Sequence, residues 1–171
     1  MSTNKSRRRA VKAQPLSEDA WAPFGWLPVP DTDPRDGRQR MTCEWDDAHV
    51  NLIGHGRSEV PETADGFRCE MLFRHDTHTQ SLMPLNVPAV IAVAPSDIEL
   101  TDEGEVALIQ AFRLEPLEPL VLHRGTWHWG PFPIVGDEVR LFNVQGLRYA
   151  EDNRCMDLAA LGLSVDVDLT G

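Results

Sequence analysis

The chain predicts an all-β fold, a double-sheet jelly-roll barrel carrying one or two short helices. Short apolar runs of strand length recur from about residue 50 to the C-terminus. The segments between them are dense in Gly, Pro and Asp, and no long helical pattern alternates with them. Regular short strands punctuated by turn residues mark a sandwich or barrel rather than a βαβ fold.

The elements follow in order. Residues 1–14 hold Lys5, Arg7, Arg8, Arg9 and Lys12 with no interleaved aromatic residue, which predicts a disordered, solvated basic tail. A single domain is expected over 15–171. Leu16 to Trp21 reads as a short helix, with Ser17 as its cap and Glu18 and Asp19 in its first turn, ended by Pro23 and Gly25. Residues 28–40, rich in Pro, Asp and Arg, read as a loop suited to a flap. Strands are expected at Val50–Ile53, Phe67–His75, Gln80–Leu85, Val90–Ala94, Val106–Leu114, Leu120–His123, Val139–Val144 and Val165–Leu169. A second short helix at Asp157–Leu161 ends on Gly162, the residue best able to take the left-handed cap.

Composition narrows the function. Lys and Arg total 16 against 27 Asp and Glu, a formal charge of -11, so the surface repels nucleic acid and anionic membrane alike. An anionic small substrate needs local positive charge against that field, which makes arginines near a pocket informative. Cys43, Cys69 and Cys155 are odd in number and lack C-x-x-C spacing, so they form neither a disulfide framework nor a zinc site. With no apolar stretch after the basic run to act as a signal peptide or membrane span, a cytoplasmic location is expected.

Two histidine groups stand out: Arg74-His75-Asp76-Thr77-His78-Thr79-Gln80 and His123-Arg124-Gly125-Thr126-Trp127-His128. If Asp76–Thr79 is a hairpin connection, His75 and Gln80 face each other across two antiparallel strands and point into one barrel. His123 and His128, five positions apart, would face opposite sheet surfaces on an unbroken strand, and Gly125 is the residue that can break the alternation. One of Trp127 and Trp129 should then be a pocket wall and the other its outward neighbour. His49 and His55, in loop-like surroundings, read as residues without a role, and His78 at a turn can face either way.

These residues carry a resemblance. Phe73 to Leu85 is similar to the pattern E-R-H-P-x-G-[ST]-Q-x-[FL]-[IM]-P-[LM] of the ureidoglycolate lyase family, and His123 to Pro131 to its H-R-G-x-W-H-x-P-L. Weaker matches lie at Leu16–Gly25 and Asn153-Arg154-Cys155, so the likeness spans roughly residues 15–160. The family is of the cupin type. The resemblance implies a carbon–nitrogen lyase that cleaves ureidoglycolate to glyoxylate and urea in purine (allantoin) catabolism, acting on a small carboxylate as a homodimer.

On that reading His75 and His128 carry the proton traffic, His123 supports them, and Gln80 hydrogen-bonds the substrate. Arg74 and Arg124 are candidates for its carboxylate, although a regular strand turns Arg74 away from His75. Trp127 is the expected wall. The cofactor is left unknown, a divalent metal at His75, Gln80 and His128 being one option; there, cupin ligands are reduced to two histidines and a glutamine. The chain departs from the family pattern at Phe73 (Glu expected), Asp76 (Pro), His78 (Gly) and Val144-Gln145-Gly146-Leu147 (I-D-R-G). Two alternatives stay open: a metal-dependent enzyme on another small carboxylate, with His78 or His123 joining the ligands, and a non-catalytic small-molecule binder.

Overall fold

Residues 7–30, 39–44 and 47–170 are described by a computed structural model. The architecture is the expected all-β, cupin-like jelly roll. Its strands are β1 (Arg7–Pro15), β2 (Gly25–Trp26), β3 (Ala48–Gly56), β4 (Gly66–Cys69), β5 (Met71–Arg74), β6 (Gln80–Pro84) and β7 (Ala89–Ala94). They continue with β8 (Gln110–Leu114), β9 (Leu120–Leu122), β10 (Trp127–Pro133), β11 (Glu138–Gly146), β12 (Arg154–Asp157) and β13 (Leu163–Asp168), and the helices are α1 (Glu18–Trp21) and α2 (Glu103–Val106). One sheet runs β12-β5-β10-β7-β8-β1-β13-β4 and the other β2-β9-β6-β11-β3.

Strand β7 shows why the apolar runs read as they do, because all six of its residues are buried. Ala89, Ile91 and Val93 pack toward the second sheet with Trp21, Phe24, Leu82, Phe112 and Leu141. Val90, Ala92 and Ala94 pack on the other face with Phe67, Leu72, Trp127 and Val165. A strand covered on both faces loses the alternation of polar and apolar residues and becomes continuously apolar.

Five expectations need correction, the first being that Phe67–His75 is not one strand: it divides at Glu70 into β4, which pairs with β13, and β5, which pairs with β10 and β12. Residues 7–14 are not a free tail: Arg7–Lys12 pair in parallel with Leu163–Asp168, and Ala13–Pro15 with Ala111–Arg113. Arg7 meets Glu103 at 2.6 Å and Val11 and Ala13 pack on the core, so the basic residues neutralise acids while the small apolar ones face in. Val106–Leu114 is not one strand, since Asp102 caps α2 by accepting from the Glu105 N–H at 2.9 Å and the strand begins only at Gln110. Ser17 holds extended geometry but makes no side-chain cap; its backbone carbonyl receives the Trp21 N–H. Strand β10, unexpected because Gly130, Pro131 and Pro133 resemble turn residues, absorbs them in a register shift between Trp129 and Phe132, where Gly130 takes φ +88. The C-terminal expectation is close: a 3-10 turn at Ala159–Leu161 ends on Gly162 at φ 71. The expected flap falls mostly on residues 31–38, outside the described residues.

Candidate active site

The connection between β5 and β6 is a crossover, not a hairpin. Strand β5 pairs with β10 and β12 in one sheet, whereas β6 pairs with β9 and β11 in the other. His75 and Gln80 are therefore not ladder partners, and they meet because the crossover brings them to one end of the space between the sheets. Gly125, at φ +76, turns the chain in the same way between β9 and β10, and its N–H donates to the His75 carbonyl at 2.7 Å. The two turns are thus tied together.

His75, Gln80 and His128 line one cavity of about 670 Å³, with Gln145, Asn153, Tyr149, Trp129 and Phe73 around them. The rings of His75 and His128 lie 5.4 Å apart, and His78 stacks behind His75 at 4.5 Å. His75 Nδ1 hydrogen-bonds the Asp152 carbonyl, and His128 Nδ1 the Thr126 carbonyl at 3.1 Å. A carbonyl only accepts, so both rings carry the proton on Nδ1 and keep a lone pair on Nε2. Neither Nε2 has a hydrogen-bond partner among the described residues.

Burial sets their charge. Desolvation takes His128 down to about 3, with the neighbouring His75 adding to the effect, and His78 to about 4 for the same two reasons. His75 is also lowered by desolvation, partly offset by its contact with the Asp152 backbone and by the charges of Asp152 and Asp76. All three are neutral at physiological pH.

Gln80 is oriented by amides. Its Nε2 donates to Asn143 Oδ1 at 2.9 Å and Gln145 Oε1 at 3.3 Å, while Asn143 Nδ2 donates to Asn51 Oδ1 at 2.7 Å. The chain of donors leaves Gln80 Oε1 buried without a partner, an acceptor that a ligand N–H would satisfy.

Other predicted residues lie elsewhere. Arg74 is buried on the far face of β5, meeting Asp76 at 3.0 Å and Glu99 at 3.1 Å, with its guanidinium 4.6 Å from the Trp127 ring centre. Trp127 faces that side too and donates to the Ile98 carbonyl, so Trp129 is the cavity wall in its place. Arg124 is exposed and holds Glu44 at 2.5 Å and the Asp76 carbonyl at 3.0 Å. His123, at the end of β9, is exposed, packs its ring tilted against Trp26 at 5.5 Å, and stands outside the large cavity, although it borders a small void shared with His75, Gln80 and His128. His49 stacks on Tyr149, whereas His55, read as having no role, lines the cavity near Glu59 and Phe132.

Sequence reasoning missed Arg68, Gln145 and Asp152. Arg68 lines the cavity and donates from Nε to Asp166 at 2.8 Å, with no acceptor among the described residues for its terminal nitrogens. The alternation around buried Phe67 and Cys69 placed it on the opposite face of β4, but only the fold shows what that face lines. The Asp152 carboxylate accepts the Asp76 and Thr77 N–H groups at 2.9 and 2.7 Å and the Thr77 hydroxyl at 2.5 Å. Burial raises its pKa, but those bonds, the Thr77 hydroxyl first, outweigh it and hold the carboxyl below its usual range.

His75, His78 and Asp152 bring donor atoms within 4.8 Å of one another, close enough to be weighed as a metal site. His75 Nε2 and His78 Nε2 keep unpartnered lone pairs, but the other atoms of the group are engaged. Asp152 Oδ2 already takes two donors, and His75 Nδ1 carries the proton it gives to a carbonyl, so the group acts as a strap for the crossover.

Comparison with known proteins adds a family. The model of a family described as ureidoglycolate lyase matches residues 8–161. A protein of Pseudomonas fluorescens named ureidoglycolate lyase is 31% identical over 136 residues, covering 70% of this chain and 75% of its own. Namesakes from Pseudomonas entomophila and Pseudomonas aeruginosa are 30% and 28% identical, the latter over 134 residues, with 70% of this chain and 75% and 74% of their own lengths covered.

Proposed function

The chain belongs to the ureidoglycolate lyase family, and from that premise we propose that it cleaves ureidoglycolate to glyoxylate and urea, with His75 and His128 as the catalytic residues. The observation that carries this is the pair of neutral, tautomer-locked imidazoles with unpartnered Nε2 atoms, lining one cavity with Gln80.

Ureidoglycolate is a carbinolamide. One imidazole Nε2 takes the proton from the carbinol hydroxyl, the oxygen's electrons form the aldehyde carbonyl, and the C–N bond breaks toward the ureido nitrogen. That nitrogen receives a proton, giving urea, and the site returns to its starting charge. Because both rings begin neutral, the proton that arrives on the leaving nitrogen is the one first taken from the hydroxyl, passed on by one ring or across the pair.

Gln80 Oε1 accepts a ureido N–H, the donor type it lacks within the protein. Arg68 replaces Arg74 and Arg124 as the holder of the carboxylate, since it is the arginine on the cavity wall. To a divalent ion, His75, Gln80 and His128 offer only uncharged donors with no carboxylate among them, and the imidazoles themselves move the proton.

The same reading places the protein in purine breakdown in the cytoplasm, where Cys43, Cys69 and Cys155, all unbridged, remain thiols. Among the described residues no helix is long and apolar enough to cross a membrane. It also makes the protein a homodimer. Strand β3 is a nine-residue sheet edge whose outward Val50 and Leu52, 58% and 69% exposed, adjoin Phe142 of β11, and a second copy would cover both edge and patch.

The test is glyoxylate release from ureidoglycolate by the purified protein, with Arg68→Ala as the discriminating variant. A rise in KM of about tenfold or more is expected for a lost charge-assisted carboxylate contact. Absence of glyoxylate from the wild-type protein refutes the activity, and an unchanged KM in the variant refutes the role of Arg68.

A further inference from the structure

The cavity is larger and more apolar than the proposed substrate requires. Ureidoglycolate has only about nine non-hydrogen atoms and is polar at every position, whereas cavities of roughly 300–1,000 Å³ are the size that houses drug-sized ligands. Here about 670 Å³ is bounded by a polar end, His75, Gln80, His128 and Gln145, by the charged residues Glu59, Arg68 and Glu70, and by a broad apolar wall that includes Ile53, Val60, Met71, Phe73, Trp129 and Phe132. A carboxylate and a urea alone leave that wall facing water.

Resting on the lyase reading, we infer that the preferred substrate is a ureidoglycolate bearing an apolar alkyl or aryl group on its distal ureido nitrogen. The position follows from the chemistry. The carbinol carbon has to sit against the imidazoles with its hydroxyl and carboxylate engaged, so the far nitrogen is the one atom free to carry bulk. Phe73 and His128 are directly opposed in the β5–β10 ladder, which starts the apolar wall beside the reacting end. Trp129 and Phe132, with ring centres 4.6 Å apart, extend it. Aromatic walls of this kind favour an aryl or branched group by burial and ring contact.

The reaction keeps the same balance. In R–NH–CO–NH–CH(OH)–COO⁻ the hydroxyl proton leaves to an imidazole, the C–N bond breaks, and the nitrogen is protonated. The products are glyoxylate and the monosubstituted urea R–NH–CO–NH₂, with no oxidant, reductant or water consumed.

The experiment compares two substrates and two inert analogues. Turnover is measured as glyoxylate release from ureidoglycolate and from its N-phenyl derivative. Binding is measured as thermal stabilisation by N-carbamoylglycine and N-phenylcarbamoylglycine, which lack the hydroxyl and cannot react. The phenyl substrate should show at least a tenfold higher kcat/KM, the scale of discrimination an apolar pocket supplies. Met71→Glu, a change at a residue 41% exposed, should erase that advantage while leaving ureidoglycolate turnover within about twofold. Equal or faster cleavage of plain ureidoglycolate overturns the inference and leaves the lyase reading intact. If neither substrate yields glyoxylate the lyase reading falls. The analogues then decide the wall separately: stronger stabilisation by the phenyl compound keeps the apolar subsite, and equal stabilisation removes it.

Discussion

The two turns that deliver the histidines are held by different chemistry. The crossover after β5 is fastened from a distance: Asp152, far along the chain, accepts the Asp76 and Thr77 N–H groups and the Thr77 hydroxyl on its carboxylate and His75 Nδ1–H on its carbonyl. The turn before β10 is fastened mostly by neutral backbone contacts. Thr126 N–H bonds the His123 carbonyl at 3.2 Å, the Thr126 hydroxyl bonds the Phe24 carbonyl at 2.9 Å, and His128 uses a carbonyl two residues away. One histidine thus depends on a charged remote anchor and the other on its own turn, although burial keeps both neutral.

The largest expected effect treats the two alike. His75→Ala and His128→Ala should each lower glyoxylate release by about 10²–10⁴-fold, the usual contribution of a proton-transfer group. If one variant keeps full activity in a steady-state assay, the imidazoles do not share the proton traffic and the site is asymmetric in chemistry as well as support.

The next effect should separate them. Asp152→Ala leaves the two N–H groups and the Thr77 hydroxyl without their acceptor, a loss of about 2–4 kcal/mol on the scale of charge-assisted hydrogen bonds. Thr126→Val removes one neutral bond and should cost about 1 kcal/mol. Asp152→Ala should also lower kcat, since His75 loses its fixed position, with KM changing less. Urea unfolding and steady-state kinetics on both variants provide the check, and equal losses would erase the distinction between the anchors.

Acid should report the shared burial. His78 and His128 titrate near 4 and 3 in the folded chain, below about 6.5 in an unfolded one. Between about pH 6.5 and 4 the unfolded chain therefore gains protons that the folded one refuses. Stability is constant above that window and falls within it, by up to about 1.4 kcal/mol per pH unit for each histidine. The contribution of Asp152, whose folded carboxyl lies below its usual value, persists through the window and is lost only at lower pH. Urea midpoints that stay level from pH 7 to 4.5 would show that the imidazoles are not held neutral.

The smallest effect concerns the charge at the rim. Arg124→Ala removes an exposed pair with Glu44 and should change stability by no more than about 0.5 kcal/mol and leave KM for ureidoglycolate unaltered. A raised KM would return Arg124 to the substrate and displace Arg68.

How far the sequence could be read depended on how local the controlling force is. Strand β7 was legible because burial on both faces writes itself into six consecutive apolar residues. Strand β10 was not, since a bulge carrying Gly130 and Pro131 has the composition of a turn and is kept in the sheet by its pairing with β7. Strand β1 was hidden for the same reason, its arginines resembling a tail until Leu163–Asp168 lie beside them.

His75, Gln80 and His128 could be proposed from the chain alone, because each lies within a few residues of a turn whose composition marks the break in alternation. Continuous apolar runs, punctuating turns and the family motifs are all properties of neighbouring residues, so the all-β class, most strands and these three side chains followed from order alone. Tertiary structure decided the rest: that the crossover changes sheets, that Arg74 and Trp127 face away while Arg68 and Trp129 face in, and that Asp152 anchors the first turn. Those outcomes depend on contacts between segments far apart in the chain. Period-2 alternation assigns a side chain to one of two faces, and only the packing of one sheet on the other determines which face encloses the cavity.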